Sequence, residues 1–307
     1  MDGLGGLVGF QWLLLVYGLA TTLVGFSLLW WLPNRPQVPG LASREGSWPS
    51  WLPLPPPALK GEYARIHFEQ MSQVYHRPAW KAGDLLLVLM DWRIWPLAVM
   101  YFGVAGCGIG VQNYGTVILR VENPELTGVQ LSLLFAPIWI VDVIAILLVT
   151  PLSDRFHRHR AALFSIAALL QITGLLITTF AVEKWARYGG LLIVGFGLGP
   201  TVPVAMTWTS EIFSGRHGEV GVAAASALVS GLGNLGSIVT TYALYKGWES
   251  DGHGPHKYRK SNLVMVGILA GSVSAALVNT VLLRVFDGRD RERTQSSDAI
   301  RSREDSE

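Results

Sequence analysis

The sequence predicts an all-α membrane protein with seven transmembrane helices. Seven apolar segments, at roughly 11–32, 93–118, 129–150, 161–182, 188–209, 220–245 and 262–284, each reach the ~20 residues that a helix needs to cross a bilayer's hydrocarbon core. Half of the 307 residues are apolar and only 15% are charged, with a mean hydropathy of +0.36, a balance foreign to a soluble domain. The expected surroundings are therefore lipid. The net charge of +2 is uninformative by itself, and no nucleic-acid partner is expected.

The placement of the cations orients the chain. Counting loops alternately from the first span, one side holds Arg35 through Arg93, Arg155, Arg158, Arg160, Arg216 and the arginines from Arg284 onward, seventeen of the 24 Lys+Arg. Arg120, Lys184, Arg187, Lys246, Lys257, Arg259 and Lys260 fall on the other. The positive-inside rule makes the first side cytoplasmic, with the amino terminus outside and the carboxyl terminus inside. The connection 246–260 runs against this trend.

Taken in order, the first span ends at Trp30-Trp31, where indoles favour the headgroup zone. Met1–Gly6 holds Asp2 and no cation, unlike a cleavable signal peptide. Residues 33–92 form the long non-spanning segment. Its run from Pro33 to Pro57 predicts extended, polyproline-like backbone, read either as a stiff spacer or as a docking ligand. Residues 60–80 read as a partly amphipathic helix on the inner membrane surface. Asn123-Pro124-Glu125 and Gly128 break the chain before the third span, and Phe213–Gly218 separates the fifth from the sixth. Gly197, Gly199, Pro200 and Pro203 weaken the fifth span. The tail from Asp287 onward offers nothing to bury and predicts disorder.

Polar residues at membrane depth are the site candidates. Asp142 lies near the middle of the third span, where an ionised carboxylate costs at least ~3 kcal/mol unless paired or hydrated. It reads as a proton carrier, a cation partner, or a protonated acid bonded to a neighbouring helix. Gln112, Asn113 and Tyr114 offer donors and acceptors to a polar solute, or knit helices together. Thr207, Trp208 and Thr209, followed by Glu211, either line a cytoplasmic vestibule or anchor the interface. Asn234 in the sixth span contacts solute or bonds a neighbouring helix.

Other chemistry is excluded or weak. The seven histidines lie outside the spans without further ligands at metal spacing, so no metal is expected. Cys107, the single cysteine, reads as a small buried residue. Gly231-x-Gly233-x-x-Gly236 fits a dinucleotide fingerprint literally, but it follows an Ala/Ser-rich span rather than a strand. These glycines, like Gly106/Gly110 and Gly195/Gly199, predict close helix approach instead. No hydrolase elbow, Walker loop or zinc-protease motif is present, so neither an ATPase nor another enzyme is expected.

Thr150-Pro151-Leu152-Ser153-Asp154-Arg155-Phe156-His157-Arg158-His159-Arg160 joins the third and fourth spans. A carboxylate beside several guanidinium groups at two helix ends forms a network that holds neighbours in one arrangement, or else simply a basic stop. This block resembles the motif of the major facilitator superfamily, Gly-x-x-x-Asp-Arg-x-Gly-Arg-Arg. Asp154, Arg155 and Arg158 match; Thr150 and His157 stand in place of glycines, and His159 in place of a basic residue. Three further blocks are similar to fungal allantoate-permease-like transporters of the anion:cation symporter branch. Phe10-Gln11-Trp12-Leu13-Leu14-Leu15 with Gly18–Thr21 resembles their sixth helix. Asp91–Trp95 with Tyr101-Phe102-Gly103 resembles the seventh, and Gly231–Ile238 the eleventh.

The resemblance implies the sixth helix plus the carboxyl-terminal half of a carrier in which two six-helix halves rock around a midplane site. It implies symport of a small organic anion, a carboxylate or vitamin-like solute, with protons and without ATP or another cofactor, in the plasma membrane. Five helices of that family have no counterpart here, so a truncated chain that does not transport alone is expected. The alternative is a non-transporting membrane partner that assembles with a separate amino-terminal half or a full-length relative.

Overall fold

The computed structural model describes residues 9–31, 61–74, 82–156, 159–246 and 258–304, together with Gly6, Leu59 and Trp248. The proline-rich run from Pro33 to Pro57 lies outside them. The chain divides into two compact units, residues 1–79 and 80–307, taken here separately.

The first unit holds α1 (Gly9–Trp31) and α2 (Gly61–Val74). Hydroxyls inside α1 are satisfied within the helix: Thr21 and Thr22 donate to the carbonyls of Tyr17 and Gly18 at 2.7 Å, and Ser27 donates to Val24 at 2.8 Å. These hydroxyls thus stay bonded while apolar side chains such as Leu14, Leu19 and Leu23 are exposed along the helix, as lipid allows. Gly61, with φ +63°, opens α2. An Arg65–Glu69 pair at 3.2 Å, exposed on both sides, adds little to its stability.

The second unit is a bundle of α3 (Ala82–Met90), α4 (Ile94–Glu122), α5 (Gly128–Arg155), α6 (Arg160–Phe180), α7 (Lys184–Ile238) and α8 (Arg259–Glu304). α7 folds at Gly218, whose φ of +61° and ψ of −155° only glycine adopts readily. Its first limb, Lys184–Ser214, and second limb, Val220–Leu244, are each long enough to cross a membrane, as are α1, α4, α5, α6 and α8, which makes seven candidate spans among the described residues. A π-helical turn, Val239–Tyr245, closes the second limb.

Local chemistry sets the element ends. The Asp91 carboxylate accepts the Arg93 backbone N–H at 3.0 Å and its guanidinium at 3.3 Å, a turn that parts α3 from α4. Thr127 and Gln130 cap the start of α5 reciprocally. α3 is a difference from the sequence reading, which leaves residues 82–90 in the linker: a nine-residue apolar helix is too short to register as a span. α8 also continues through residues 287–304, where the sequence predicts disorder. That stretch has no proline or glycine after Gly288 to stop a helix already under way.

Ile94, Leu97, Met100, Val104, Cys107 and Val111 put one buried stripe of α4 at the centre of the bundle. Small residues let its neighbours approach. A Cβ on Gly103 would strike Ser272 of α8, on Gly106 Thr240 and the Gly236 backbone, on Gly108 Leu198, and on Gly115 Phe135. The second limb returns the contact through Gly233 against Tyr101 and Gly236 against the Phe102 carbonyl. These pairings run α4 parallel to the second limb and antiparallel to α8. The first limb lies antiparallel to α6, through Gly190 beside Thr178 and Gly197 beside Ala167 and Gln171. It lies parallel to α5, through Gly195 at Ile138 and Gly199 at Asp142. Of the glycines in the fingerprint-like run, Gly233 and Gly236 serve close packing, whereas Gly231 faces open space.

Substituting Gly236 by Val is therefore expected to lower stability by about 1–3 kcal/mol or more through overpacking, and Gly231→Ala to leave it unchanged or slightly raised. Thermal unfolding of both variants in the same detergent compares them directly.

Candidate functional site

Charged side chains are bound in pairs at the two ends of the bundle. At one end, Arg160, the first residue of α6, is 4% exposed and reaches Glu211 of the first limb at 2.7 Å and Asp154 near the end of α5 at 3.6 Å. Both contacts use Nη2, while Nε and Nη1 are buried without a hydrogen-bond partner. One guanidinium thus ties three helix ends together. At the opposite end, Arg187 of the first limb bonds Glu122 at the end of α4 at 2.8 Å and donates from Nε to the Ala181 carbonyl at 2.7 Å. Thr178 donates to the Arg187 carbonyl at 3.3 Å.

Asp142 lies between these ends. It follows Ile138 by one helical turn and precedes Ala145, both fully buried, so it shares the face of α5 that packs on the first limb. Gly199 touches its backbone carbonyl. The side chain is partly buried and has no hydrogen bond or ion pair among the described residues. A carboxyl group held at mid-span without a partner is costly when ionised.

The other predicted residues do not converge on Asp142. Gln112 and Asn113 are exposed on α4, while Tyr114 turns inward and donates to the Thr241 carbonyl of the π turn at 3.3 Å. Its ring lies 5.7 Å from that of Tyr258. Tyr258 is itself in the left-handed region, at φ +62°, an uncommon conformation for an aromatic residue. Asn234 is exposed on the second limb, with its amide 3.5 Å from the Ser230 hydroxyl. Trp208 is 8% exposed and packs within the apolar core, where the first limb buries that face against its neighbours.

Of the charge motif, Asp154 takes part in the bridge, Arg155 is exposed, and Arg158 lies outside the described residues. The sequence reading misses Arg160 as the central group and Glu211 as its partner. A cation on the first turn of one span and an acid at the same end of the next are the signal that points to them.

A bundle of apolar helices, bridged by charge at both ends and carrying an unpaired acid midway, defines a polytopic membrane protein of the transporter class. Residues 3–241 match the Major Facilitator Superfamily, and the chain belongs to that family. A vitamin H transporter of Schizosaccharomyces pombe is 41% identical over 298 residues, which cover 92% of this chain and 50% of that protein. An uncharacterized transporter of the same yeast is 42% identical over 288 residues, covering 91% and 44%. A putative tartrate transporter of Agrobacterium vitis is 25% identical over 286 residues, covering 92% and 58%. The chain spans about half the length of the two yeast relatives. The family is one of transporters and not of enzymes.

Glu211→Gln is expected to lower stability by about 1–3 kcal/mol, because the buried Arg160 loses its nearer charge partner. Arg160→Met in the same chain is expected to restore much of that loss. Melting temperatures of the two single variants and the double variant test the coupling.

Proposed function

We propose that this bundle forms one lobe of a carrier that moves a small organic anion, a carboxylate or vitamin-like solute, together with protons, by alternating access. The observation that carries this reading is the unpartnered Asp142 on the face of α5 that meets the first limb. An acid there is neutral when protonated and crosses low dielectric at small cost, and it is charged and restrained when it releases its proton. That difference couples proton binding to the arrangement of α5 and α7. The Arg160 bridge is the second element, since it holds three helix ends in one arrangement and must open for them to separate.

The substrate class is supported by the fission-yeast relative named for vitamin H and by the bacterial one named for tartrate. We place the protein in the anion:cation symporter branch that its sequence blocks resemble. We assign it to the plasma membrane, with the start of α1 outside and the end of α8 in the cytoplasm, as the cation distribution favours.

The test is uptake of labelled vitamin H by yeast cells without their own route for it. The 307-residue chain is produced together with the amino-terminal helices of the fission-yeast relative. Uptake stimulated by external acid is expected, and the chain alone is expected to give none. Asp142→Asn should remove the acid stimulation and cut the rate by about tenfold or more, equivalent to at least about 1.4 kcal/mol. An unchanged pH profile in Asp142→Asn sinks the assignment of the proton to this residue.

A further inference from the structure

Midway along the first limb of α7, Pro200 and Pro203 bring no backbone N–H, so the carbonyls of Phe196 and Gly199 lose the donors that a regular helix supplies four residues later. Gly197 and Gly199 carry no side chain to stiffen the same stretch. Against it, from α6, lies Gln171, which is 0% exposed. Its amide nitrogen donates to the Gly197 carbonyl at 3.1 Å and to the Thr201 hydroxyl at 3.4 Å. Thr201, also 0% exposed, donates in turn to the Leu198 carbonyl at 2.6 Å. The carbonyl oxygen of Gln171 is buried and accepts no hydrogen bond. A buried amide with one end engaged and the other empty, facing a hydroxyl that can rotate, has two ways of being satisfied.

We propose that Gln171 and Thr201 form a two-position hydrogen-bond switch that sets the bend of the first limb. In the arrangement seen here, the Gln171 amide holds Gly197 and Thr201, and the Thr201 hydroxyl bonds back along its own helix, which favours a bent limb. In the other arrangement, the Gln171 amide turns over and gives up Gly197, and the Thr201 hydroxyl releases Leu198 and donates to the Gln171 carbonyl oxygen. The Leu198 carbonyl then keeps only the Val202 N–H, the regular helical donor. Gly197 makes the exchange sterically feasible, because a Cβ there would strike the Ala167 carbonyl and Gln171 itself. Gln171 is thus a positioning residue for a helix that also carries Glu211 and packs on Asp142. Its part in a transport cycle rests on the carrier reading above.

The test uses the single cysteine as a clean background. Chains carrying Cys107→Ser and Thr207→Cys are placed in lipid nanodiscs and labelled with a membrane-impermeant maleimide. Thr201→Val and Gln171→Met are each expected to change the labelling rate at position 207 by on the order of threefold, in the same direction. The two together should do no more than the stronger one, since they break one shared bond. Thr201→Ser keeps the hydroxyl and should label like the parent. Equal rates throughout, or two effects that add independently, overturn the switch. Vitamin H uptake by yeast cells that produce the same variants together with the amino-terminal helices of the fission-yeast relative separates the two readings. A labelling shift without uptake leaves the switch standing and removes the carrier; uptake without a labelling shift does the reverse.

Discussion

The bundle depends on close approach of helix backbones at glycine. Lipid tails are as apolar as leucine, so the hydrophobic effect does not hold these helices to one another, and packing and interhelical hydrogen bonds must. Gly236 rests on the Phe102 carbonyl, Gly190 on Gly174, Gly197 on Ala167 and Gly199 on Asp142. Short polar side chains reach across only because the backbones are that close. Ser272 donates to the Val99 carbonyl at 3.2 Å beside Gly103. Asn262 reaches Thr179 at 3.1 Å, and Tyr188 reaches the Leu134 carbonyl at 3.0 Å. Wider spacing would break these bonds as well as the van der Waals contact.

Charge is sorted along the bundle axis. Among the described residues of the bundle, full cations occur only near the ends, where Arg160 and Arg187 each find a carboxylate on another helix. The middle holds neutral amides and hydroxyls, with Asp142 the exception. This sorting follows from desolvation: a guanidinium buried near the interface keeps partners at small cost, whereas one at mid-span would need a complete set of them. It also divides the work. On the proposed carrier reading, the ends fix which helices are joined, and the centre responds to protonation and to bending.

Much of the fold is legible in the sequence, and less of the site. The seven spans follow from hydropathy because lipid imposes length and apolarity on each of them. The helix-approach reading of Gly106, Gly195 and Gly199 is visible in their spacing, and Asp142 stands out because a lone acid in an apolar run has few bland explanations. The misses share one cause. Arg160 and Glu211, or Gln171 and Thr201, are brought together by tertiary packing, and nothing local in either partner names the other. Trp208 carries the amphipathic character of an interfacial anchor, and only the packing of the first limb reveals it as core. The nine-residue α3 hides in the linker because it is too short for a hydropathy signal, and the Asp91–Arg93 turn that delimits it is a side-chain feature.

Gly218 draws these parts into one mechanical unit. The two limbs of α7 meet at a backbone conformation that other residues reach only with strain, with no loop between them to take up slack. One limb is lodged among α5 and α6, and the other along α4. The hairpin thus joins the packing of α5 and α6 to that of α4 through a single corner residue, where any other side chain would strain the backbone.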